Sequence, residues 1–179
     1  IYLNGKNIWA KPKLPLYKEN ARFIINDFFE NSLGMPLYCM SSVAYKRNVI
    51  EEVGGFDEDI MYSEDIDFYI KINLNYKSAY YHAPLSNVRV GGPEQMTVVK
   101  LTHQYLPDLD KYESENSKNT SLIKYLNFKR YMYAMRYRQS GEHNHFYRLR
   151  KSTRKQMLTF RQIILPVSYT HLTLPTKQA

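Results

Sequence analysis

Gly54 and Gly55 stand side by side between two stretches of helical periodicity, and they limit what this chain can become. Residues 41–67 read SSVAYKRNVIEEVGGFDEDIMYSEDID. Asn48 offers a cap for a short helix, with Glu51 three residues on as in a capping box. Gly54 falls where a left-handed residue would end that helix. Ser63 is a second candidate cap, opening a helix from Glu64 to about Asn73. Ile66, Ile70 and Leu74 form its apolar stripe at i, i+4, i+8. Two acidic clusters, Asp57-Glu58-Asp59 and Glu64-Asp65, lie within this short span. Packing alone gives no reason for them. An active-site wall that needs a carboxylate base at a helix start does.

The flanks are read more coarsely. Pro12 and Pro15 break any long element near the start. Asn20 to Leu33 reads as a helix, with Ala21, Ile24, Ile25, Phe28 and Leu33 at helical spacing before Gly34 and Pro36 stop it. Leu37 to Tyr45 is uncharged and rich in small residues, and reads as a strand. Cys39 and Ser41 would then share one face. Tyr76 to His82 and Leu85 to Val90 read as two further short strands. From Met96 the pattern turns helical, with breaks at Leu106-Pro107-Asp108 and Ser114–Thr120. Two basic helices, about 121–139 and 144–164, are separated by Ser140-Gly141.

A carboxylate in the first turn of a helix is favoured as the anion by unpaired N–H groups and the helix dipole. Held there, it accepts a proton from an incoming hydroxyl. Glycines just upstream let a ligand approach the backbone closely, since no Cβ intrudes.

These residues carry a resemblance. GGFDE, followed within a few residues by an ED pair opening a helix, resembles the C-terminal half of a GT-A-fold family 2 glycosyltransferase. PLYCMSSVAYKRNVIEEVGGFDE, Pro36 to Glu58, and the downstream YKSAYYHAPLSNVRV fit the same order. The resemblance covers about residues 20–95 and is specific as an ordered set. It implies an α/β fold: residues 1–95 as the acceptor-side half of a catalytic domain, residues 96–165 as a basic helical extension. It implies inverting transfer of a sugar from a nucleotide-diphosphate donor to a sugar or lipid-linked sugar acceptor, in surface polysaccharide or glycolipid synthesis. Asp65 would be the general base, with Glu64 positioning acceptor or base. Gly54, Gly55, Ser42 and Arg89 would face substrate. A divalent cation, Mg or Mn, would neutralise the leaving diphosphate. It would be held mainly by a donor half preceding Ile1, so the chain alone is expected to be inactive. Asp57-Glu58-Asp59 and Asp65-Ile66-Asp67 fit the family's metal-binding DxD as strings, but neither ends an apolar strand. Arg89-Val90-Gly91 lacks the histidine that often follows in the family. The rival class is a non-enzymatic binding module with a basic arm.

Charge divides the chain. Residues 1–117 hold 12 Lys/Arg against 16 Asp/Glu, whereas residues 118–165 hold 12 Lys/Arg against Glu142 alone. Tyr125, Phe128, Tyr131, Tyr133, Tyr137, Phe146 and Tyr147 are interleaved with those cations. That mixture suits a peripheral helix on an anionic membrane surface at the cytoplasmic face. Nucleic-acid binding by phosphate contact and stacking is a weaker reading, and a solvated basic hairpin is the plainest. The block His143-Asn144-His145 lacks further ligands at metal spacing. A single cysteine, Cys39, excludes an internal disulfide. No run approaches the ~20 apolar residues of a membrane span. Val167 to Thr176, VSYTHLTLPT, reads as the translation of a sequencing-library adapter. Residues 166–179 are therefore expected to lie outside the fold.

Overall fold

The computed structural model describes residues 2–3, 6–7, 14, 18–86, 105–160 and 162–163. Two compact units divide within one helix: residues 1–125 and residues 126–179. Helices predominate among the described residues, and the two small sheets are both antiparallel pairs. β1 (Tyr2–Leu3) pairs with β2 (Lys6–Asn7). β3 (Arg22–Ile25) pairs with β4 (Ser78–Tyr81), with Arg22 opposite Tyr81 and Ile25 opposite Ser78. Asn20 and Ala21 extend this ladder through backbone bonds of 2.9 Å to His82.

The helix expected over Asn20–Leu33 is instead β3 followed by α1 (Phe28–Asn31). Asp27 is the reason for the break. Its backbone is extended, and its Oδ1 accepts from Glu30 N at 3.0 Å, which caps α1 and ends the strand. The run Phe23-Ile24-Ile25 suits a pleated surface once β4 offers a partner. Residues 37–45 form no strand. Ser42 Oγ accepts from Cys39 N at 3.1 Å and donates to Cys39 O at 3.0 Å, closing a 3₁₀ turn at Met40–Ser42. Serine hydroxyls compete with ladder bonds in this way.

α2 (Arg47–Val53) begins after Lys46, so Asn48 lies inside it and bonds Glu52 at 3.4 Å rather than capping. It ends at Gly54, whose φ of 71° and ψ of 138° need a residue without Cβ. α3 (Glu64–Asn75) is the centre of the first unit. Ile66, Phe68, Tyr69, Ile70 and Ile72 are all buried, so its apolar surface is far wider than the expected stripe, and Leu74 at the stripe's end is half-buried. Phe28, Tyr38, Tyr69 and Tyr125 pack as one aromatic cluster, with Phe28 to Tyr69 and Phe28 to Tyr125 centroids 6.0 Å apart. The second short strand expected at Leu85–Val90 is not seen at Leu85 and Ser86; its remaining residues lie outside those described.

α4 (Leu109–Glu115) is capped by Asp108, whose side chain accepts from Asp110 N and Lys111 N. It is fixed to α3 by Asp67, which is 4% exposed. Asp67 Oδ1 accepts from Tyr112 Oη at 2.5 Å, and Oδ2 lies 2.7 Å from Lys71 Nζ. α5 (Thr120–Gln139) starts after Asn119, whose Oδ1 accepts from Leu122 N at 3.1 Å.

In the second unit, α5 runs to a turn at Ser140-Gly141, where Gly141 has φ 82°. Glu142 N donates back to Tyr137 O at 2.8 Å, ending the helix as a Schellman-type closure. α6 (His143–Ser152) follows, then a 3₁₀ turn at Lys155–Met157. Buried Asn127 accepts from Arg154 N at 2.6 Å and donates to Arg154 O at 3.2 Å. Both ends of its amide are thereby satisfied. Leu126, Tyr133, Ala134, Tyr137 and Phe146 form the small core around it.

Candidate active site

Four segments of the first unit converge on the start of α3. Ser63 precedes it with φ 64° and ψ 33°, in the left-handed region that non-glycine residues seldom occupy. It holds the cap position, as the sequence suggests, but its side chain makes no capping bond there. Backbone strain of this kind, of order 1–3 kcal/mol, gathers at functional sites. Glu64 and Asp65 are the first two helical residues, Glu64 exposed and Asp65 half-buried.

Asp65 faces an environment of phenols. Burial pushes the Tyr45 hydroxyl well above its ordinary range, with Tyr38 and the Asp65 carboxylate adding to it. Burial likewise raises Tyr69, with Asp65 the next contributor and Tyr45, Tyr38 and Cys39 after it. An anion disfavours ionisation of a nearby phenol, so both tyrosines remain neutral donors beside the carboxylate. Tyr69 lies one turn beyond Asp65 on the same helix face. Its ring is 2% exposed and packs edge-on to Tyr38 at 5.0 Å. Its Oη is buried without a hydrogen-bond partner in the protein.

The 3₁₀ turn supplies the polar side. Cys39 Sγ lies 3.2 Å from Ser41 Oγ, 3.5 Å from Ser42 Oγ and 4.0 Å from Ser86 Oγ. Burial pushes the Cys39 thiol up, but the bonds from these serines outweigh it and hold the thiol below its ordinary value. Ser42 thus reaches the cluster through Cys39, whose charge Tyr69 senses. The loop side is anchored by Phe56, whose ring lies tilted against Phe68 at 4.6 Å, while Tyr45 meets the same ring edge-on at 5.1 Å. Asp57 closes the acidic loop on itself, accepting from Asp59 N at 3.0 Å, and all three of residues 57–59 are exposed.

Gly54 and Gly55 separate in role. Gly54 has a positive φ; at neither glycine would a Cβ meet another atom within 4 Å. Open space, not close packing, lies beside both. Arg89 is outside the described residues.

Asp65-Ile66-Asp67 is not a chelating pair. Residues i and i+2 point to different sides of a helix, and Asp67 is committed to Tyr112 and Lys71. Among the described residues no three His, Cys, Asp or Glu side chains gather to hold a metal ion. The cation that the resemblance implies therefore does not fit the described residues of this part of the chain.

Sequence reasoning missed Tyr45 and Tyr69 as neighbours of Asp65. Tyr69 was legible as the i+4 partner; Tyr45 was not, because its position depends on how the 3₁₀ turn meets α3. No family model matches the chain, and comparison with curated proteins and with solved structures found no match. No helix among the described residues is long and apolar enough to cross a membrane.

Proposed function

We propose that the chain carries the acceptor side of an inverting glycosyltransferase, with Asp65 as general base. In this reading the Asp65 carboxylate takes the proton of an acceptor hydroxyl. That oxygen then bonds to the anomeric carbon of a nucleotide-diphosphate sugar, and the C–O bond to the diphosphate breaks with its electron pair. Glu64 orients the acceptor from the exposed side of the helix start. Tyr45 and Tyr69 provide an aromatic and hydroxyl-bearing wall of the kind that lines small-molecule sites. Ser42, Gly54 and Gly55 complete the substrate face, to which the resemblance adds Arg89. On this reading the donor sugar and the cation are held by a donor half of the enzyme, apart from the residues around Asp65. The product is a surface polysaccharide or glycolipid, made at the cytoplasmic face of the plasma membrane by a peripheral enzyme.

The observation that carries this reading is the placement of Asp65. It is a half-buried carboxylate in the first turn of a core helix, entered through a strained Ser63 and flanked by phenols kept neutral. The ordered set GGFDE and ED supports it independently. Asp65→Asn in the longer protein is expected to lower sugar transfer by about 10²–10⁴-fold, the share a general base contributes. Nucleotide-sugar binding by the same variant should be unchanged. Retention of full turnover by Asp65→Asn would refute the assignment of Asp65, and absence of sugar transfer by the longer protein itself would favour the binding module.

A further inference from the structure

Phe56 is 47% exposed, yet its ring is anchored. It lies against Phe68 at 4.6 Å, and Phe68 is 1% exposed and held edge-on by Tyr45 at 5.1 Å. Part of the Phe56 ring is therefore fixed on the core of the first unit, and the rest is open to solvent. The place of Phe68 on α3 shows what the open part adjoins. Phe68 is the i+4 neighbour of Glu64 and the i+3 neighbour of Asp65, and such neighbours have Cβ atoms about 5–6 Å apart. The exposed ring thus rests about one helical turn from both carboxylates of the helix start. At Gly55, the residue before it, an added Cβ would meet no atom within 4 Å. Asp57, Glu58 and Asp59, the residues after it, are exposed, and Ile60 N donates to Asp57 O at 3.2 Å to turn the loop. A lone apolar side chain on a surface needs no explanation. A ring fixed on the core, beside open space and within a turn of two carboxylates, does.

We infer that Phe56 is the platform for an uncharged pyranose ring of the acceptor, which lays one C–H face on the phenyl ring while its hydroxyls meet Glu64 and Asp65. The face of an aromatic ring is the negative side of its quadrupole. The axial C–H bonds of a pyranose carry the opposite partial charge, and its hydroxyls project around the rim. A pyranose is about as wide as one helical turn is tall, about 5.4 Å, so a sugar on Phe56 reaches the helix start with its edge. An aromatic wall with a few convergent polar groups is the usual make-up of a small-molecule site. The surrounding charge narrows the class. Asp57, Glu58, Asp59, Glu64 and Asp65 all lie within ten residues of Phe56, which disfavours a phosphate or an acidic sugar at this point. An acyl or prenyl chain offers the carboxylates no hydroxyl. The inference rests on the acceptor-side reading for which hydroxyl reacts; the binding itself does not depend on the transfer chemistry.

The test is saturation-transfer NMR of the full chain with the methyl pyranosides of glucose, galactose, mannose and N-acetylglucosamine, and with glucitol. Glucitol has the hydroxyls of a sugar but no rigid C–H face. At least one pyranoside is expected to bind, and glucitol is not. Phe56→Tyr keeps the ring and should keep the affinity. Phe56→Leu keeps an apolar contact for Phe68 but loses the aromatic face, and should weaken binding by about three- to tenfold. Binding of none of the pyranosides would overturn the platform. Glucitol binding as well as the pyranosides would overturn it too, since hydroxyls alone would then suffice. So would equal affinity of Phe56→Leu and the wild type, with circular dichroism native in both. If Phe56→Leu does not fold, the glucitol comparison decides alone. The two readings fail separately. Loss of transfer in Asp65→Asn without pyranoside binding keeps the base and removes the platform. Phe56-dependent pyranoside binding with full turnover in Asp65→Asn does the reverse.

Discussion

Asp67 in the first unit and Asn127 in the second do the same mechanical work by different means. Each is a buried polar side chain on a helix that fixes a later segment: Asp67 takes α4 through Tyr112, and Asn127 takes the chain after α6 through the Arg154 backbone. Asp67 is a charge, balanced by a phenol and by Lys71 at 2.7 Å. Asn127 is neutral, with carbonyl and amide each matched to a backbone group. A buried charge commits its surroundings more heavily than a buried dipole, because desolvation is costly unless each partner stays in place. The region around the candidate site is therefore built on ionic and phenolic groups. The basic region buries Arg130 as well, but the side chain that pins its later segment is neutral.

The largest effect should come from removing the charged pin. Asp67→Ala should cost about 3 kcal/mol, since a charge-assisted bond is lost and the buried Tyr112 hydroxyl is orphaned. Asn127→Ala should cost about 1–2 kcal/mol, because Arg154 is exposed and its backbone can turn to water. Urea titration measures both, and a larger loss for Asn127→Ala would reverse the contrast.

Alkaline pH acts on both regions next, since burial raises Tyr131 and Tyr137 of the second as well. Tyr38, Tyr45, Tyr69 and Tyr112 all have hydroxyls raised, burial being the main cause in each. A phenol whose folded value exceeds its unfolded value of about 10 stabilises the fold fully below that pH. The contribution is lost as pH rises from there toward the folded value. Urea midpoints should therefore hold up to about pH 10 and fall above it. In Tyr112→Phe this fall should be shallower. A midpoint insensitive to alkali would contradict the burial of these rings.

The glycine pair gives a smaller and sharper contrast. Gly54→Ala should cost about 1–3 kcal/mol from its positive φ. Gly55→Ala should stay within about 0.5 kcal/mol, having neither a positive φ nor a neighbour for the new methyl. If Gly55→Ala leaves the melt unchanged but weakens acceptor use by the longer protein, the open space beside it is substrate space.

The smallest effect concerns Cys39. Its thiol should reach half-maximal alkylation by iodoacetamide below the ordinary pH of about 8.5. Ser41→Ala and Ser42→Ala together should move that midpoint upward, since they remove the bonds that lower it. No upward movement would show that the serines do not hold the thiolate.

Local chemistry made several parts of this protein readable from the residues. Gly54 ends one helix, Glu64 begins the next, and Gly141 divides two basic helices. In each case the signal is a cap or a backbone angle set within a few residues. Segments whose partners lie far away were not readable. Phe23-Ile24-Ile25 fits either a helix or a strand until Ser78–Tyr81 arrives to pair with it. The run from Leu37 to Tyr45 has strand composition, but a 3₁₀ turn bonded through Ser42 takes its place.

The sequence by itself determined where α3 starts and that a carboxylate pair opens it, because caps, glycines and first-turn charges act over one helical turn. Tertiary structure decided what surrounds that pair. Tyr45 beside Asp65, the serines around Cys39, and Tyr112 on Asp67 all depend on burial and on contacts between residues distant in the chain. Those terms are set by which surfaces meet, and no local pattern encodes them.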